Sequence, residues 1–213
     1  WLRDLMLFAA YTASGDYVHF LAADDYLLPG FHAAVGACSA GVVISAVQVE
    51  QGDYKCINWM FARQPLQPGR SEGDSLLAWA ERAWTLPSGT GAVFRHDVAQ
   101  WMADVELWHI GPWNDSVGIP LAAYLFGIDY IPALCCVHSA RAGRYGSTES
   151  RTEEATQRFV REMWHLADRI ELRHGRSEGL ARVLAASLGK MGATGGNASA
   201  PQPALMSEPI ISQ

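Results

Sequence analysis

The chain has 213 residues, 49% apolar, 18% charged and 10% aromatic, with a formal net charge of −6. That is apolar mass for one sizeable core, and it excludes a disordered or collagen-like chain. The acidic balance argues against bulk nucleic-acid binding, and no apolar run approaches the roughly 18 residues that cross a bilayer.

Apolar spacing predicts a short amphipathic helix over about 2–13, which delivers the chain into the buried strand Tyr17-Val-His-Phe-Leu21. The strand stops at Ala22-Ala23-Asp24-Asp25, and after Tyr26-Leu27-Leu28 a helix opens with Pro29 in its first turn and runs toward Cys38. A strand over 41–49 follows, and Gly52-Asp53 turns it back into a partner over 54–61. Residues 62–73 read as a Pro/Gly-rich loop and 75–84 as a helix. Pro87-Ser-Gly-Thr-Gly91 then leads into a strand over 92–95 and a helix over 97–103. After an irregular stretch, 105–114, comes a helix over 115–126 with Pro120 near its first turn and Gly127 closing it. Two short strands, 128–131 and 133–137, precede a loop over 139–150 and helices over 152–174 and 177–190. The tail, 191–213, has no pattern able to build a core and is expected to be disordered.

Four cysteines, Cys38, Cys56, Cys135 and Cys136, form no CxxC pair and no zinc spacing. They read as reduced core residues, which suits a cytoplasmic protein. Charge changes sign at residue 141: positions 1–140 hold 6 basic and 14 acidic side chains, positions 141–213 hold 10 and 8. Eight arginines and no lysine stand between Arg141 and Arg176. Arginine suits bidentate grip on phosphate, while an exposed helix laced with salt bridges accounts for most such clusters.

Strands alternating with helices imply an α/β sheet, in which ligands gather at the carboxyl ends of strands. Asp24 and Asp25 stand at such an end. Adjacent carboxylates there have two readings: a turn or helix cap, and a hard-cation site completed by water and substrate phosphate.

The run Ala13-Ser-Gly-Asp-Tyr-Val-His-Phe-Leu-Ala-Ala-Asp-Asp-Tyr-Leu-Leu-Pro-Gly30 resembles a stretch of the family-two glycosyltransferases of GT-A fold. The resemblance implies a Rossmann-like mixed sheet flanked by helices, of α/β class. It also implies a divalent metal, Mg²⁺ or Mn²⁺, held by strand-end carboxylates and bridging the diphosphate of a nucleotide-sugar donor. Asp24 and Asp25 are then the metal ligands, with Ala22 standing where the family often has another Asp. Pro87-Ser-Gly-Thr-Gly-Ala-Val-Phe-Arg95 is similar to the acceptor-side strand of that family. Trp113-Asn-Asp-Ser116 and Gly127-Ile-Asp-Tyr-Ile-Pro132 are similar to its next helix and strand. That match makes Asp115 the general base for the acceptor hydroxyl, with Asn114 where an acid usually precedes it. The residues' own alternative for Asp115 is a helix cap.

Val137-His138 resembles the end of the family's last core strand, with Cys136 where an arginine is expected. His138 either touches the metal or diphosphate, or is a strand-end histidine without that role. The Gly-rich loop beyond it carries Arg141 and Arg144, suited to neutralising a departing nucleoside diphosphate on closure. Trp59, Trp84, Trp108 and Trp113 flank the expected acceptor side, either stacking on sugars or packing in the core.

The implied activity is metal-dependent, inverting transfer of a sugar from a nucleotide-diphosphate donor to a sugar, lipid-linked or protein acceptor, in polysaccharide or glycoconjugate synthesis. A second reading is a non-catalytic GT-A-like remnant, a binding or interaction module that has lost donor binding, kept open by Ala22 and Asn114. A third, a metal-dependent phosphohydrolase, explains Asp24 and Asp25 but not the stretch around them. In the family the metal motif follows two or three βα units, whereas one helix precedes Tyr17 here. The expectation is therefore that 1–150 is the C-terminal portion of a GT-A domain without its nucleotide-binding strands, 151–190 a helical extension and 191–213 the tail. The expected location is the cytoplasm, with peripheral membrane contact or oligomerisation through the last helices left open.

Overall fold

The computed structural model describes residues 2–51, 54–57, 69–71, 89–139, 153–175 and 177–195. In chain order the elements are α1 (Leu2–Thr12), β1 (Tyr17–His19), β2 (Tyr26–Leu27), α2 (Phe31–Gly36), β3 (Val42–Gln51), β4 (Tyr54–Ile57) and β5 (Gly69–Ser71). They continue with β6 (Ala92–Arg95), α3 (His96–Asp104), α4 (Asn114–Phe126), β7 (Ile128–Ser139), α5 (Glu153–His174) and α6 (Glu178–Gly195). The strands form one mixed sheet in the order β1-β6-β3-β7-β2, with β4 beside β3 and β5 beside β7. Pairing of β3 with β7 is parallel, from Val42 opposite Ile128 to Glu50 opposite Ser139, and the other ladders are antiparallel. The protein is an α/β fold.

The middle strand divides two cores because side chains alternate across a strand. Val42 and Ile44 face a large cluster built with α3, α4, α5 and α6, including Val98, Met102, Ile119, Leu166, Ile170 and Val183. Val43 and Val47 face a smaller cluster with Phe31 and Val35 of α2 and with Cys135 and Cys136. A strand buried on both faces reads as a continuous apolar run, which is why 41–49 was legible. The last two helices share the large cluster rather than standing off it. Arg169 donates from Nε to the Val105 carbonyl (2.7 Å) and lies 3.4 Å from Glu106, while Arg173 pairs with Asp104 at 2.7 Å. Two of the eight clustered arginines therefore dock α5.

Several expectations are corrected. The strand expected through Leu21 ends at His19, is only half-buried and lies at the sheet's edge, paired with β6. Asp24 and Asp25 thus sit in the turn after β1, not at its last residue. The helix expected from Pro29 begins at Phe31, after Gly30 takes a left-handed φ of 90°. Two short strands, β2 and β5, were not expected; both are stabilised by pairing to β7 rather than by their own pattern. The strands expected at 128–131 and 133–137 are one, β7. Its register against β3 slips between Ser45 and Ala46, where Pro132 and Ala133 are accommodated as a bulge. Residues 105–114 hold a 3-10 helix, Leu107–Trp113. Pro120 lies in the second turn of α4, inside the helix, and Gly127 closes α4 with φ 77° and its N–H on the Ala123 carbonyl (2.8 Å). Helix α6 reaches Gly195, five residues into the expected tail. The helix expected at 75–84, the loop at 140–150 and residues 196–213 lie outside the described residues. No helix among the described residues is long and apolar enough to cross a membrane.

Candidate active site

After β1 the chain turns at 22–25, with the Asp25 N–H on the Ala22 carbonyl (3.1 Å). It re-enters the sheet as β2, where Tyr26 stands opposite Val137 and Leu27 opposite Cys136. That short ladder carries Asp25 to the carboxyl end of β7, beside His138 and Ser139. The Asp25 side chain is only 1% exposed, and a buried carboxylate persists only when donors satisfy it. Oδ1 accepts the Ser139 N–H (3.0 Å), Oδ2 accepts the Thr90 hydroxyl (2.6 Å), and His138 Nδ1 lies 3.2 Å from Oδ2. The Ser139 hydroxyl donates to the Asp24 carbonyl (2.7 Å), pinning the same turn from below. Burial works against the charge on Asp25, but the bonds from Thr90, Ser139 and His138 outweigh it and hold the carboxyl below its usual range.

Thr90 enters from a different part of the chain, the 3-10 turn Gly89–Gly91 that opens β6. Its carbonyl accepts His19 Nε2–H of β1 (2.9 Å), and burial lowers the pKa of His19, keeping that ring neutral. The turn can lie this close to the sheet because residue 91 is glycine. A Cβ there would stand 2.5 Å from Val47 Cγ2 and 3.0 Å from the Ser45 carbonyl.

One residue before Thr90, the Gly89 N–H donates to Asp115 Oδ2 (3.1 Å). Asp115 is the second residue of α4, and its Oδ1 accepts the Ser116 N–H (2.7 Å) and hydroxyl (3.3 Å). Both readings of this residue are thus present: it caps donors of the first helical turn and faces the turn that binds Asp25. Burial pushes the Asp115 carboxyl above its usual range, since two N–H donors and a longer hydroxyl contact do not offset the loss of water.

The structure brings together three of the residues singled out from sequence, Asp25, Asp115 and His138, around the turn 89–91. Asp24 is half-buried in the adjoining turn. Arg141, Arg144, Trp59 and Trp84 lie outside the described residues, as does the Trp113 side chain. Trp108 is a core residue, 5% exposed and edge-on to Phe20, so it offers no surface for a sugar. Cys136, beneath the site, is likewise inert: burial pushes its thiol up to about 11. Sequence reasoning missed Thr90, His19 and Ser139. The one available signal was a hydroxyl residue between two glycines, a place where a turn presses against the sheet.

Two adjacent carboxylates and an imidazole are the donor types a hard cation takes alongside water and phosphate. Among the described residues no three such side chains are already arranged around a cation. Three donors occupy Asp25 and Asp24 is half-buried in the adjoining turn; the donor types fit a hard cation completed by water and substrate phosphate. Comparison with the known protein families, with characterised proteins and with solved structures finds no match.

Proposed function

We propose that the protein is a glycosyltransferase of GT-A type that moves a sugar from a nucleotide-diphosphate donor to an acceptor hydroxyl with inversion. One observation carries the reading: two carboxylates from distant segments, Asp25 and Asp115, bind consecutive residues of one turn and are held in opposite protonation tendencies. Paired groups whose surroundings push their pKa values apart mark acid–base sites. The resemblance of residues 13–30 supplies the reaction class.

In this reading the acceptor hydroxyl gives its proton to Asp115 as its oxygen bonds to the anomeric carbon. The bond from that carbon to the diphosphate breaks, and its electron pair leaves on the phosphate oxygen. A carboxylate with a raised pKa is the stronger base once ionised. The Gly89 and Ser116 N–H groups orient it. A divalent cation, held by Asp24 with the substrate phosphates, would neutralise charge on the leaving diphosphate. Asp25 stays ionised and structural, fixing the turn that presents Asp24. Arg141 and Arg144 are assigned to the departing diphosphate on the charge pattern alone.

The test is release of nucleoside diphosphate from a panel of nucleotide sugars with Mn²⁺, in wild type and Asp115→Asn. Release that Asp115→Asn abolishes supports the reading. A second reading, a non-catalytic binding module that has lost donor binding, is favoured by the full occupancy of Asp25 and by Ala22 and Asn114; absence of both nucleoside diphosphate release and Mn²⁺-dependent nucleotide binding selects it.

A further inference from the structure

Strands β3 and β7 run parallel and end together, with Glu50 opposite Ser139. Tyr26, Val137 and Gln48 stand opposite one another in one row of the sheet, and Ser139, Glu50 and Lys55 in a second. Partners across a ladder share a face and alternate residues repeat it, so both rows lie on one face. There Glu50 Oε1 accepts Gln48 Nε2–H (2.7 Å) and lies 2.8 Å from Lys55 Nζ, and the Tyr26 hydroxyl bonds Glu50 as well. Strands β2 and β3 are two strand spacings apart, about 9–10 Å, so Tyr26 meets Glu50 only by leaning across β7 over Val137. Val137 is 1% exposed and takes part in neither core cluster of the described residues, as suits a side chain beneath a ring. Tyr26 itself is 44% exposed. One face of its ring rests on the sheet and the other is open. The Ser139 hydroxyl, bonded to the Asp24 carbonyl (2.7 Å), joins this patch to the turn that carries the proposed cation ligand.

We propose that Tyr26, Gln48, Glu50 and Lys55 form a subsite for an uncharged pyranose ring, the sugar that accepts the transfer. The C–H face of a pyranose packs on the electron-rich face of an aromatic ring. A tyrosine already tied down by its hydroxyl loses little further freedom when it does so. Glu50 can accept from neighbouring sugar hydroxyls, while the Gln48 carbonyl and the remaining ammonium hydrogens of Lys55 supply further partners. The charges of Glu50 and Lys55 cancel, so the patch exerts no net pull on a phosphate, which favours a neutral sugar over a nucleotide. That the bound ring is the acceptor rests on the glycosyltransferase reading; the subsite itself rests on the geometry.

The experiment is saturation-transfer-difference NMR on the full chain with methyl glycosides of glucose, galactose, mannose and N-acetylglucosamine, beside uridine and guanosine diphosphates. Wild type is expected to transfer saturation to the ring C–H protons of at least one glycoside, more strongly on one face of the sugar. Tyr26→Ala is expected to weaken the titrated affinity about tenfold, and Glu50→Gln to weaken it several-fold, with circular dichroism confirming that each variant is folded. No transfer to any glycoside in wild type overturns the proposal whether or not the variants fold. So does an affinity unchanged in folded Tyr26→Ala; should that variant not fold, an affinity unchanged in Glu50→Gln does the same. Transfer to a nucleoside diphosphate alone, lost in Tyr26→Ala, gives the ring to the donor and also overturns the proposal. If sugar transfer is present, Tyr26→Ala should raise the acceptor KM about tenfold. Glycoside binding without release of nucleoside diphosphate from nucleotide sugars would count against the glycosyltransferase reading and leave the subsite standing. Release without glycoside binding would do the reverse.

Discussion

Asp25 is buried and Asp115 half-buried, and they lie on either side of one three-residue turn, yet they are held in opposite ways. Asp25 is ringed by a hydroxyl, a backbone N–H and an imidazole from two segments, and its carboxyl sits below the usual range. Asp115 has an N–H from its own helix and one from the turn, and burial lifts its carboxyl above that range. Burial alone does not set the state of an acid; the strength of the donors aimed at it also counts, and the hydroxyl on Asp25 lies at 2.6 Å while the one on Asp115 lies at 3.3 Å. A satisfied carboxylate serves structure, and an under-satisfied one is available for a proton.

Four experiments would break or sharpen that contrast. The largest effect is expected from Asp115→Asn, which should lower the proposed sugar transfer by about 10²- to 10⁴-fold while changing stability by less than about 1 kcal/mol, since one N–H loses its acceptor but a half-buried charge is also removed. Comparing turnover with the urea midpoint separates the two effects. Asp25→Ala should do the reverse in kind. It strands a buried hydroxyl, an N–H and a histidine, and should cost about 3 kcal/mol of stability by urea denaturation. Equal destabilisation by both substitutions would erase the distinction drawn here.

The pH dependence carries opposite signs. The depressed Asp25 contributes stability that is present above its unfolded value near 3.8 and is lost as pH falls through its lower folded value. The raised Asp115 acts the other way: stability falls as pH rises from 3.8 through its folded pKa, because the native state must ionise a buried group. Asp115→Asn should therefore flatten the decline above pH 4, and Asp25→Ala the loss below it, in urea midpoints taken across pH. Gly91→Ala, which forces the turn off Val47 and Ser45, should cost about 1–3 kcal/mol by the same measurement and weaken both carboxylates' contacts together. The smallest effect belongs to a site far from both. His174 Nε2 accepts the Trp101 indole N–H (2.7 Å), and burial lowers its pKa, so the contact is complete above 6.5 and lost as pH falls through the lower folded value. Removing it with His174→Phe should shift stability by under about 1 kcal/mol and leave turnover unchanged.

Much of the fold was legible where local pattern and burial agree. The runs forming β3 and β6, the helices α1, α3 and α4, and the closure at Gly127 carry their own period or cap. The two-residue strand β2 was not legible, because nothing in Tyr26-Leu27 demands extension; Val137 and Cys136 impose it. The same holds for β5, and for the bulge that lets β7 run past Pro132. Within the site, Asp25, Asp115 and His138 were singled out by residue type and resemblance. Thr90 was hidden, since a threonine in a Gly-rich turn is ordinary until a carboxylate 65 positions away is placed against it.

The sequence by itself determined the α/β class, the apolar strands that make the sheet, and the acidic and imidazole groups available for chemistry, because these depend on side-chain type and spacing over a few residues. Only the tertiary structure decided which carboxyl is held below its usual range and which above it. That choice depends on donors delivered from β7, from the turn before β6 and from the start of α4, segments whose proximity no local pattern encodes.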